Sequence, residues 1–243
     1  MSIAMECRKL KRTGFLPAVL GVGLLSAMIP VVNMAVRTEL YVGRQEPPLQ
    51  ILMEANWQMM AMLNIFLIIL AACVLYHTEF ADNAVQKMDT LPLNPGSIFI
   101  SKAIILAAAA AILTVLESAG FAACIFKWFG LPEGCWLELA KNMGYSLAFT
   151  LPAVILMLAI GSACRNMWIS LGIGVAGLFV VIIIPPDMLA KSGLYMFPFA
   201  LPFQLIWDAD GPGALNLLYA AGAEVLIFVG AEALYLKVRR YFV

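Results

Sequence analysis

Long apolar runs, each broken by a short cluster of polar or turn-forming residues, dominate the chain. A helix crosses the hydrocarbon core of a bilayer with about 20 residues, and an apolar stretch of roughly 18 or more is a candidate span. Six segments qualify, at about 14–36, 52–76, 98–126, 143–164, 168–184 and 214–236. The fifth is the shortest and is closed by Pro185-Pro186, which a helix interior does not tolerate. The first follows a basic flank, Arg8-Lys9-Leu10-Lys11-Arg12. Its apolar run of about 23 residues exceeds the roughly 7–15-residue core of a secretory signal, so it is expected to remain as a membrane anchor. The pattern predicts an all-α integral membrane protein with six transmembrane helices, a single domain over 1–243 without internal repeats.

Composition agrees with that pattern. The 243 residues are 63% hydrophobic and 12% charged, with a mean hydropathy of +0.93. A soluble domain carries roughly 25% charged residues, so lipid is the solvent that accepts this surface. Net charge is zero, which gives no bulk attraction toward nucleic acid. Lys and Arg are nevertheless unevenly placed. With six spans, ten of the 15 basic residues fall on the side that holds both termini. The positive-inside rule then puts both ends in the cytoplasm.

Between spans two and three, residues 77–97 form a cytoplasmic segment. Thr78 is expected to cap a short amphipathic helix over about 79–91, with Glu79 in its first turn. Phe80, Ala84, Val85, Met88 and Leu91 recur on one stripe. Asp82, Asn83, Gln86, Lys87 and Asp89 fill the other face. Pro92, Asn94, Pro95 and Gly96 enforce a turn, and Ser97 is expected to cap span three. Such a helix either lies on the membrane or docks in a partner's groove. Residues 187–213, before the last span, are apolar, aromatic and Pro-broken, and Phe197, Phe199 and Phe203 among them are candidate substrate contacts on an apolar, aromatic surface. A re-entrant or interfacial external hairpin fits this stretch.

Three acids lie inside predicted spans: Glu117, Glu224 and Glu232. A charge near the bilayer centre costs several kcal/mol, so such groups turn inward or line a polar cavity. Glu224 and Glu232 fit one broad helix face, and Glu232 is within reach of Lys237 or Arg239. Glu117 has no partner nearby in sequence. It and Glu224 are candidate substrate or proton sites. Dense small residues (Ala107–Ala111, Gly172, Gly174, Gly177, Ala220–Ala223) permit close helix approach. The five cysteines include no CxxC and read as small apolar side chains. His77 sits at a membrane edge as an interfacial residue. No GxxxxGK[ST], HExxH or GxSxG motif occurs, so any energy source is an ion gradient or a separate ATPase.

Glu79-Phe80, the amphipathic helix, Asp89-Thr90-Leu91-Pro92-Leu93-Asn94-Pro95 and Ser101-Lys102 together resemble a pattern that follows the second span in membrane subunits of ABC-2 type transporters. Glu6 with Lys9-Leu10-Lys11-Arg12 is similar to that family's elbow segment, and the Pro-rich stretch to its external re-entrant hairpin. The family often has a basic residue after the turn proline, where Leu93-Asn94 stand here. The small size is similar to the paired permeases that protect Gram-positive bacteria from lanthipeptides. The resemblance implies that 79–91 is a coupling helix seated in an ABC ATPase dimer, with Glu79, Phe80, Ala84, Val85, Met88, Leu91 and Pro92 at the contact. Glu6, Lys9, Lys11 and Arg12 would form the elbow. ATP and Mg would sit on the partner ATPase, and this chain would bind no cofactor, hold no metal and catalyse no reaction. Further implied partners are a second homologous permease or a second copy, membrane lipid, and a peptide or lipid-like substrate. The implied location is the bacterial cytoplasmic membrane. Two other readings stay open: a gradient-driven transporter using Glu117 and Glu224, and a non-transporting scaffold or sensor.

Overall fold

The computed structural model describes residues 3–11, 13–80, 95–130, 132, 134–164, 166–184, 197–206 and 212–239. Its helices are α1 (Ile3–Leu10), α2 (Phe15–Val36), α3 (Thr38–Val42), α4 (Pro48–Phe80), α5 (Pro95–Cys124), α6 (Cys135–Ala163), α7 (Met167–Ile183) and α8 (Pro212–Arg239). A π-helical turn, Ile125–Phe129, extends α5, and a 3-10 turn spans Leu201–Phe203. Gly14 (φ 70°, ψ 12°) makes the left-handed corner between α1 and α2, a conformation glycine adopts without a Cβ penalty.

Among the described residues, five helices are long and apolar enough to cross a membrane, namely α2, α4, α5 with its π turn, α6 and α8. The sixth predicted span, α7, has 17 residues. At about 1.5 Å per residue it measures roughly 25 Å, below the ~30 Å hydrocarbon thickness. Two elements outrun their apolar runs. Helix α4 begins at Pro48 and continues through Phe80. Helix α6 begins at Cys135, where Cys135, Leu139 and Met143 are buried four residues apart.

Helix α4 is central, packing against α2, α5, α6 and α7, while α8 lies chiefly on α6. Helix α5 shows how the bundle sorts its residues. Phe99, Lys102, Leu106, Ala109, Leu113, Glu117 and Phe121 are buried, whereas Ile100, Ile104, Ile112 and Val115 are exposed. Both faces are largely apolar, but the two charged residues, Lys102 and Glu117, go inward, as lipid exposure demands. Close approach depends on small residues. A Cβ on Gly120 of α5 would lie 2.4 Å from the Ala27 carbonyl oxygen of α2, and one on Gly174 of α7 would lie 2.7 Å from Ile69 of α4. Gly172 and Gly222 have open space around them.

Candidate functional site

At one end of the bundle, α1 folds back against the start of α5, beside the last turns of α4. This is the end to which residues 81–94 attach, and those residues lie outside the described ones. The Lys102 side chain is fully buried here and that of Glu6 nearly so. Lys102 Nζ donates to Glu6 Oε2 at 3.0 Å and to the Leu75 carbonyl oxygen at 2.7 Å. Its ammonium also stands 5.3 Å from the Tyr76 ring centroid, within cation–π range. The other Glu6 oxygen accepts from Lys9 Nζ at 2.8 Å. Leu10, one turn on, joins the apolar cluster that contains Leu75, Tyr76 and Phe99. One cation thus holds three helices, and its two anchor points on α4 and α5 flank the 81–94 segment.

Burial alone would raise the Glu6 carboxyl. The hydrogen bond from Lys9, and the charge and hydrogen bond of Lys102, outweigh it and hold Glu6 below the usual carboxylate value. Glu6 is therefore ionised at neutral pH, and the pair is a charged one. Of the other elbow residues, Lys9 is half-buried and Lys11 exposed, while Arg12 lies outside the described residues. In the sequence Lys102 stood out only within the Ser101-Lys102 pair of the family pattern, with no partner assigned; its position one turn inside the third predicted span was a further signal.

The coupling residues fare differently. Glu79 and Phe80 are the last two residues of α4, and Ala84, Val85, Met88, Leu91 and Pro92 lie outside the described residues. Thr78 is not a helix N-cap. Helix α4 runs past it, and its hydroxyl donates back to the Leu75 carbonyl oxygen at 3.0 Å. Likewise α5 starts at Pro95 rather than after Ser97; proline's fixed φ and missing N–H suit a first helical position.

Deeper in the bundle, Glu117 of α5 is fully buried. Its Oε1 accepts from Ser26 Oγ of α2 and from Asn64 Nδ2 of α4, the latter at 2.9 Å. Its Oε2 and the Asn64 Oδ1 atom are buried without a hydrogen-bond partner. Glu224 of α8 is half-buried and shares no hydrogen bond with Glu117, so the two predicted intramembrane acids do not form one described site. Glu232, expected near Lys237 or Arg239, accepts from Ser162 Oγ of α6 at 2.7 Å. The described part of the stretch expected to be external, 197–206, packs inward. Phe199 is 2% exposed and lies where a Cβ on Gly177 would be 2.6 Å from its ring. Phe197 meets it edge-on with centroids 5.5 Å apart. Trp57 Nε1 donates to the Pro202 carbonyl oxygen at 2.9 Å. Phe199 is thus a packing residue in this arrangement, while Phe197 and Phe203 keep partial exposure.

An apolar multi-helix bundle that buries its charges at one end defines a multi-pass membrane protein. A family model described as ABC-2 family transporter protein matches residues 2–182, and the chain belongs to that family. No curated protein and no solved structure matches it. The family is a membrane component of transport, for which ATP hydrolysis is the work of a separate subunit.

Proposed function

We propose that the chain is the membrane-spanning permease subunit of an ATP-driven exporter and that residues 79–91 receive the stroke of a separate ATPase dimer. The observation that carries this reading is the Glu6–Lys102 node. The helices at both ends of the 81–94 segment, α4 and α5, are tied to α1 through a single buried cation. A push transmitted to the ends of α4 and α5 then moves α1, α4 and α5 as one body. In this reading the chain has six spans with both termini in the cytoplasm, and that segment would then lie where an ATPase can reach it. ATP and Mg belong to the ATPase, and the permease pairs with a homologous permease or with a second copy. Family membership and the apolar surfaces support an amphipathic substrate, for which a lanthipeptide expelled from a bacterial cytoplasmic membrane is the specific case.

The test is isolation of the native complex with and without Phe80, Val85 and Met88 replaced by Ala. An ABC ATPase should accompany the unaltered chain and be lost from the triple variant. Recovery of an intact complex from the triple variant removes 79–91 from the coupling role. Efflux of a lanthipeptide should stop on ATP depletion. Efflux that persists without ATP, and fails in Glu117→Gln with Glu224→Gln, assigns the chain to gradient-driven transport. Absence of efflux under all conditions assigns it to a scaffold or sensor.

A further inference from the structure

The Ser26–Asn64–Glu117 cluster carries a conclusion independent of any ATPase. Three helices meet at one carboxyl group, and its inventory of donors and acceptors does not close if the group is ionised. Oε1 already accepts two hydrogen bonds, from Ser26 Oγ and Asn64 Nδ2. Oε2 accepts none, and neither does Asn64 Oδ1, although both atoms are buried. Two orphan acceptors therefore sit on two side chains already joined by a hydrogen bond. A buried acceptor left unmet is costly and rare in folded proteins, and in lipid no water relieves it. One hydrogen between the two orphans satisfies both, and only Glu117 can supply it.

We propose that Glu117 is a resident proton site: Oε2 holds a proton and donates it to Asn64 Oδ1, closing an acid–amide pair that clasps α2, α4 and α5. In this form Oε1 is the carbonyl oxygen that accepts from Ser26 and Asn64, and every polar atom of the cluster has a partner. Among the described residues no counter-charge competes with this assignment. Helix α2 contains no ionisable side chain. On α4, Glu54 and His77 stand about 15 and 20 Å along the helix from Asn64, and Lys102 stands about 22 Å along α5 from Glu117. Glu138, Lys141 and Tyr145 of α6, Tyr76 of α4, Glu224 and Glu232 of α8, and Cys124 and Lys127 beyond Glu117 make no described hydrogen bond or ion pair with it.

The clasp sits at a weak place in α2. Pro30 lacks the N–H that would bond the Ser26 carbonyl, so α2 is held at Ser26 by its side chain where its own ladder is interrupted. Loss of the proton would leave a carboxylate facing the Asn64 Oδ1 atom and would favour parting of the three helices or entry of water.

The experiment is infrared spectroscopy of the full chain in lipid nanodiscs at neutral pH, with thermal unfolding of variants alongside. A protonated-carboxyl stretch that shifts in D2O and disappears in Glu117→Gln is the expected result. Glutamine reproduces the protonated acid, with its Oε1 accepting and its Nε2 donating to Asn64 Oδ1. Glu117→Gln should therefore melt with the unaltered chain, while Glu117→Ala and Asn64→Leu melt several degrees lower. Absence of a D2O-sensitive protonated-carboxyl band in the unaltered chain overturns the proposal without any variant. So does a Glu117→Gln chain that melts as low as Glu117→Ala.

Discussion

Removing Glu6 should damage the bundle more than removing Lys102, although the two residues form one pair. In Glu6→Ala the ammonium of Lys102 stays at zero exposure between α4 and α5, with the Leu75 carbonyl and the Tyr76 ring among its remaining contacts. Stripping the partner from a buried ion pair costs about 3–5 kcal/mol. In Lys102→Met a similar volume of apolar side chain fills the site, and Glu6 can leave for water with the eight-residue α1. That loss is capped by the docking of α1, about 1.5–3 kcal/mol for a hydrogen bond to a charged group. The double variant strands no charge and should recover much of the Glu6→Ala loss. Thermal unfolding in lipid nanodiscs reads the bundle. A nitroxide on the exposed Cys7, in a Cys164→Ser background, reads the mobility of α1. Glu6→Ala should lower the melting temperature most, while Lys102→Met should free the label with a smaller drop. Additive losses in the double variant, or a Lys102→Met chain less stable than Glu6→Ala, refute the argument.

Three further outcomes follow from the same structure. The Glu6 carboxyl lies below its ordinary value, so its contribution is complete above the unfolded value and is lost as pH falls through the lower, folded one; the Cys7 label should stay immobile at neutral pH and loosen in acid. Gly120→Ala should destabilise the chain by about 1–3 kcal/mol through overpacking, because its Cβ meets backbone of α2, whereas Gly21→Ala, with open space around it, should melt with the unaltered chain. Trp57→Phe leaves the Pro202 carbonyl without the indole donor and should cost about 1–3 kcal/mol, read by thermal unfolding, with Trp57→His restoring part of it.

The helices were legible because lipid forces long apolar runs, and α2, α5, α7 and α8 fall within a few residues of their predicted ends. The starts of α4 and α6 were not, because hydropathy marks the bilayer and not the helix. The helical spacing of Cys135, Leu139 and Met143 was present in the sequence, but Glu138, Lys141 and Asn142 between them broke the apolar run. At the candidate site, Glu6 and Glu117 stood out as acids in basic or apolar surroundings. Their partners did not, since Lys102 is 96 residues from Glu6, and Ser26 and Asn64 are 91 and 53 residues from Glu117. A survey of every polar residue inside the spans, and not of the acids alone, would have raised Ser26 and Asn64. Pairing them needed the fold.

Under the proposed six-span topology, the short α7 makes bilayer thickness a property of this protein. Its outward side chains, among them Trp168, Ile173, Phe179 and Ile183, are exposed on the bundle. They offer lipid an apolar wall roughly 5 Å shorter than the hydrocarbon around it. Acyl chains beside α7 must compress or tilt to match, at a cost that grows with every ångström of mismatch. Shorter-chain lipids would relieve that cost, and under that topology a thinned collar of membrane would travel with this face of the molecule wherever it goes.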